Sequence, residues 1–191
     1  MPYTTRRLLI IVDPQIDFIT GILPVPGAAE AMNALAEYIQ NRDGYYVHKV
    51  ITADRHPYNH TSFIKNGGQW PMHCVHDTEG AAVWHTLFDS VYQTSGAVTF
   101  LYKGQRADIE EYSIFKNHHS AHSLAKIIKH ECITHIDLCG LAGDVCVADT
   151  LRDGKRMLKC AKWSVLTRFT PSFDSGETLS DLMKTLKICD R

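Results

Sequence analysis

Leu8, Leu9, Ile10, Ile11 and Val12 follow one another without a polar residue, and the run ends abruptly at Asp13. A half-exposed strand alternates apolar and polar side chains with a period of two, so this run cannot be one. It fits a strand buried on both faces, the kind found inside a parallel sheet with helices above and below. The run is too short for a membrane span, which needs about 20 residues. A secretory leader needs an apolar core of roughly 7–15 residues, so the charged segment Met1–Arg7 does not introduce one.

The rest of the chain repeats the theme. Ala28–Asn41 places Met32, Leu35, Ala36 and Ile39 at helical spacing. Further strands are expected at Tyr45–Ile51, Ala97–Tyr102, Ile133–Leu138 and Ala161–Leu166, with a short sixth at Ile188–Cys189. Helices are expected at His119–His130, Asp144–Lys155 and Gly176–Lys187. Strands alternating with helices of this length imply right-handed crossovers. The expected fold is therefore α/β: a three-layer α/β/α sandwich of Rossmann-like topology around a mostly parallel sheet of five to six strands. No repeat or linker divides it, so residues 1–191 read as one domain. The stretch from Thr52 to about Gly80 is too long for an ordinary connection and is read as functional.

Charge narrows the function. Twenty Lys and Arg stand against 21 Asp and Glu, a net −1, with no long basic run. That excludes nucleic acid as the main partner and gives no reason to expect a membrane one. Cytoplasmic residence is expected, with the six cysteines reduced, because no C-x-x-C pair suggests a disulfide framework or thiolate zinc finger.

In doubly wound sheets, ligands bind beyond the carboxyl ends of the strands. Reactive residues cluster at those ends here. Asp13 closes the first strand, where burial raises a carboxyl pKa and suits it to proton transfer. The bland alternative is a helix cap or loop acid. Lys103 follows Ala97–Tyr102; it is either a solvated edge residue or a positive charge beside a nucleophile. Cys146 falls in the first turn of the helix opened by Asp144, after the small residues Gly140–Gly143. There the helix dipole favours thiolate, whereas a free cysteine is ordinarily just a small buried apolar residue. Cys132, Cys139 and Cys160 fit that bland reading. Six of the 11 histidines lie between His48 and His85. Asp54, His56 and His60, followed by His73, offer the carboxylate and imidazole donors that Zn²⁺ or Fe²⁺ takes. By spacing alone His76 or His85 could replace His73, and a solvated polar loop is the alternative.

Five segments, IIVDPQIDF, ITADRHPYNHTSF, WPMHCVHDTEGA, LYKG and CGLAGDVCVADT, occur in this order. Together they resemble the nicotinamidase branch of the isochorismatase-like cysteine hydrolases, over Leu8 to about Lys187. The resemblance implies an isochorismatase-like fold and a catalytic triad of Asp13, Lys103 and Cys146. It implies metal ligands at Asp54, His56 and His73, with His60 binding directly or through water. It also implies a cis peptide before Ala142, an oxyanion hole from the N–H groups of Ala142 and Cys146, and a ring-binding set of Phe18, Trp70 and Tyr112.

The implied activity is hydrolysis of nicotinamide to nicotinate and ammonia in NAD salvage, through a thioester. One divalent ion is implied, Zn²⁺ first, with Fe²⁺ or Mn²⁺ as alternatives. Family members form dimers or larger assemblies, so a homo-oligomer is an expectation, although no segment announces an interface. Two other readings compete. The same triad could act on another small amide or carbamoyl compound, or the protein could be a non-catalytic zinc and thiol sensor, which leaves Asp13 and Lys103 without a task.

Overall fold

The computed structural model describes residues 5–191; the first four residues of the charged segment Met1–Arg7 lie outside them. Strand β1 (Arg7–Val12) is buried along nearly its whole length, as a run without polar residues requires. Its side chains alternate between two cores. Leu8, Ile10 and Val12 face one, and Leu9 and Ile11 face the other. Around β1 lie β2 (His48–Asp54), β3 (Ala97–Lys103), β4 (His135–Gly140), β5 (Lys162–Val165) and β6 (Cys189–Asp190). The sheet order is β3-β2-β1-β4-β5-β6, and every pairing is parallel. The sheet has six strands, within the expected five to six, and is parallel throughout rather than mostly so.

Helices α1 (Ile16–Ile19), α2 (Ala28–Gln40) and α3 (His85–Gln93) cover one face, and α4 (His118–His130), α5 (Ala148–Met157) and α6 (Glu177–Leu186) the other. Helix α2 buries Met32, Leu35, Ala36 and Ile39, the stripe its spacing predicts. Helix α4 begins one residue early because the Asn117 side chain accepts the Ser120 N–H and caps it. No helix among the described residues is long and apolar enough to cross a membrane.

Three boundaries differ from expectation in ways that matter. Strand β2 was expected over Tyr45–Ile51 but runs over His48–Asp54. Tyr45 and Tyr46 are drawn into an edge-on aromatic pair, and the polar end of β2 is held by register, Asp54 lying beside Lys103. Strand β4 likewise starts two residues late and ends at Gly140. Asp144 does not open the helix. Gly143–Val147 form a π-turn headed by Ala142, and the Asp144 carboxylate instead accepts the Phe173 and Asp174 N–H groups. Helix α3, buried through Leu87 and Val91, was not expected at all.

Candidate active site

Because all six strands are parallel, their carboxyl ends meet at one edge of the sheet. Asp13 leaves β1 in the left-handed region, φ 46°, which aspartate tolerates better than most residues. Thr52 on the neighbouring strand secures it: the Asp13 N–H donates to the Thr52 carbonyl at 3.1 Å, and the Thr52 hydroxyl donates to Oδ1 at 2.7 Å. Lys103, only 1% exposed, lies two strands away. Its Nζ is 2.8 Å from Asp13 Oδ2, 2.7 Å from Asp54 Oδ1 and 3.5 Å from Cys146 Sγ. Cys146 is buried on the π-turn beyond β4.

The charges settle one another. Burial would strip Lys103 of its proton, but the Asp13 and Asp54 carboxylates outweigh it and hold the ammonium well above its ordinary range. Burial raises the Asp13 carboxyl to about 6; Lys103 opposes that shift and Asp54 adds to it. Asp54 is lowered, because Lys103 and His56 together overcome burial. Burial pushes the Cys146 thiol up, with Lys103 opposing. That direction opposes the pull of the helix start toward thiolate, so the sulfur calls for a proton acceptor. A buried carboxylate with a raised pKa is the right kind of acceptor.

Asp54, His56 and His73 each offer a donor atom, all lying within 4.8 Å of one another. His56 Nδ1 lies 2.9 Å from the Gly104 carbonyl and His73 Nδ1 2.8 Å from the Pro71 carbonyl. A carbonyl can only accept, so both Nδ1 atoms carry the proton and both Nε2 atoms keep a free lone pair. One carboxylate and two such imidazoles suit a divalent ion of the zinc, iron or manganese kind. Gly104 is required: at φ +64° a Cβ there would sit 2.3 Å from the His56 ring. His60 packs 4.1 Å from the His56 ring, yet both its nitrogens are engaged. Nε2 donates to the Ile109 carbonyl at 3.1 Å, and Nδ1 meets the Ser62 hydroxyl at 2.8 Å.

Beside these groups lies a narrow cleft lined by Phe18, Trp70, Tyr112, Ala142, His73, Asp54 and Cys146. The Trp70 Nε1–H donates to the Tyr112 hydroxyl at 3.0 Å, bracing two of the aromatic walls. The peptide between Leu141 and Ala142 is cis. The structure thus brings every residue of the expected triad, metal and ring sets to one place. It also adds lining residues that the sequence reading missed: Leu23, Glu110, Val145 and Phe173. Glu110, raised to about 7 mainly by burial, had a local signal as an acid between Lys103 and Tyr112. Phe173 had none, because only the path of the chain after β5 carries it across to Trp70.

Comparison with known proteins agrees with this geometry. The nicotinamidase/pyrazinamidase of Mycobacterium tuberculosis is 35% identical, over 78% of this chain and 79% of its own. The pyrazinamidase of Pyrococcus horikoshii, solved in complex with zinc, superposes with a TM-score of 0.80 at 28% identity, covering 97% of this chain and 99% of its own. PnC1 from L. infantum, solved in complex with nicotinate, gives 0.81 at 30% identity, covering 96% and 89%. Residues 7–156 match the isochorismatase domain model, and the chain belongs to the isochorismatase family.

Proposed function

We propose that this protein hydrolyses nicotinamide to nicotinate and ammonia, with Cys146 as nucleophile. The observation that carries the reading is the Lys103 ammonium, held against Asp13, Asp54 and the Cys146 sulfur at the foot of an aromatic-walled cavity. Relatives and structural neighbours named for nicotinamidase or pyrazinamidase activity support the substrate class.

Asp13 takes the thiol proton of Cys146, and Lys103 stabilises the resulting thiolate. The sulfur attacks the carboxamide carbon. The N–H groups of Ala142 and Cys146 receive the oxyanion, worth about 3–4 kcal/mol per donor. Asp13 then returns the proton to the departing nitrogen, which leaves as ammonia, and a thioester to Cys146 remains. Asp13 next removes a proton from water as that water attacks the thioester carbonyl, and the collapse releases nicotinate and restores the thiol. Phe18, Trp70 and Tyr112 hold the ring.

Asp54, His56 and His73 would hold a divalent ion, which supplies Lewis-acid and templating chemistry at the cavity floor. Zinc is the ion we assign, supported by the zinc complex of the pyrazinamidase neighbour. His60, packed on the His56 ring and offering a donor beside His56 and Glu110, would bind the ion directly or through water. The six free cysteines support cytoplasmic residence, and residues 1–191 act as one catalytic unit. The test is ammonia release from nicotinamide by zinc-loaded protein, beside N-carbamoyl amino acids as competing substrates. Release from the carbamoyl compounds alone would overturn the substrate assignment.

A further inference from the structure

The turn after β1 carries two polar side chains, one buried and one half-buried, that the reaction does not use. Gln15 is fully buried, and its side-chain amide closes on the main chain of Asp54 from both sides. Oε1 accepts the Asp54 N–H at 2.7 Å, and Nε2 donates to the Asp54 carbonyl at 2.9 Å. Nε2 also donates to the Ala81 carbonyl at 2.9 Å, so one side chain joins the end of β2 to the end of the long 55–81 connection. Two residues on, Asp17 Oδ2 accepts the Cys74 N–H at 2.7 Å. The Cys74 carbonyl in turn accepts the His56 N–H at 3.0 Å. Gly80 makes the approach feasible, since a Cβ there would lie 2.2 Å from the Asp17 carboxylate.

We propose that Gln15 and Asp17 are positioning residues for the metal: they form a clasp that fixes Asp54, His56 and His73 relative to one another before an ion arrives. Gln15 sets the main chain from which the Asp54 carboxylate projects. Asp17 holds the peptide N–H that follows His73, and the carbonyl of the same residue, Cys74, receives the N–H of His56. The three donors come from two separate segments, so without the clasp their spacing depends on how the long connection settles. Both clasp residues lie within four positions of Asp13, which ties the donors to the strand that carries the proposed base. Outer contacts that orient metal donors contribute roughly 10- to 100-fold in affinity.

The inference rests on the metal assignment made above, and its test separates the two. Zinc affinity is measured by competition with a chromophoric chelator, and the melting temperature of the metal-free protein is recorded beside it. Gln15→Met keeps length and burial but removes all three amide hydrogen bonds. Asp17→Ala removes the acceptor for Cys74, and Asp17→Asn restores one. Gln15→Met and Asp17→Ala are expected to weaken zinc binding about 10- to 100-fold, with Asp17→Asn close to the parent, and excess zinc recovering the lost turnover. Unchanged zinc affinity in folded Gln15→Met and Asp17→Ala overturns the clasp. So does a fall in melting temperature alone. If Gln15→Met does not fold, the comparison of Asp17→Ala with Asp17→Asn decides. A parent protein that binds zinc in this clasp-dependent way yet releases no ammonia overturns the proposed function and leaves the clasp standing.

Discussion

The ammonium of Lys103 lies 3.5 Å from the sulfur of Cys146, close enough to contact it and to stabilise negative charge there. The same ammonium pairs with two buried carboxylates, so Lys103→Met should do more than slow the reaction. Breaking a buried ion pair by removing one partner costs about 3–5 kcal/mol, because the remaining charge has no compensation. Urea unfolding of Lys103→Met is expected to show a loss of that order, with turnover abolished. A variant of parental stability would mean that Asp13 and Asp54 are not held by this lysine.

Cys146→Ala should abolish ammonia release while retaining bound zinc, since the sulfur lies outside the Asp54, His56 and His73 donor set. Turnover by this variant at the parental rate would exclude the covalent route.

His56→Ala and Gly104→Ala should fail in the same way for different reasons. The first removes a donor; the second drives a methyl group into the His56 ring at a left-handed backbone position. Both should lose zinc by elemental analysis and bind nicotinamide more weakly. Gly104→Ala should also lose about 1–3 kcal/mol of stability from backbone strain. Full zinc occupancy in both would show that His56 is not a ligand.

His48 gives a pH-dependent stability that is remote from the site. Burial lowers its pKa below 6.5, with Glu131 opposing and Lys49 assisting. The folded protein therefore binds fewer protons here than the unfolded chain. Its contribution to stability is full above the unfolded value and is lost as pH falls through the folded one. Between about pH 7 and pH 5 the His48 contribution should fade, so the urea midpoint of the parent should lose ground to that of His48→Gln as pH falls. His56 and His60 act in the same direction in both proteins and the raised carboxyls of Asp13 and Glu110 in the opposite one, so the difference between the two slopes isolates His48. Identical slopes in parent and variant would remove His48 from the account.

Legibility in the sequence followed the physics of burial. Strand β1 is apolar from Leu8 to Val12 because both of its faces are covered, and the shortness of the run between polar neighbours marks it as strand rather than helix. The far end of β2 was invisible for the opposite reason: Thr52 and Asp54 are polar because they serve the site, and polar residues after an apolar run read as loop. Helix α3 buries only Leu87, Ser90 and Val91, an apolar stripe of two residues and too short to stand out. Asp13, Lys103 and Cys146 could be found because topology sends strand ends to one edge. Gln15 could not, since nothing in a lone glutamine shows that its amide will close on a peptide 39 residues away.

The division of labour between sheet and loops has a consequence for how such a protein diverges. Asp13, Asp54 and Lys103 sit on three consecutive strands and Cys146 follows a fourth, a row about 14 Å wide at ordinary strand spacing. Trp70, Tyr112 and Phe173 sit on connections, while Phe18 sits on the short helix α1. The proposed reacting groups are thus anchored at the sheet, the least deformable part of the molecule, and much of the aromatic wall belongs to its more replaceable part. The connections that carry Tyr112 and Phe173 hold none of the proposed triad or metal donors, so they are where the ring preference could change while the bond-breaking apparatus is kept.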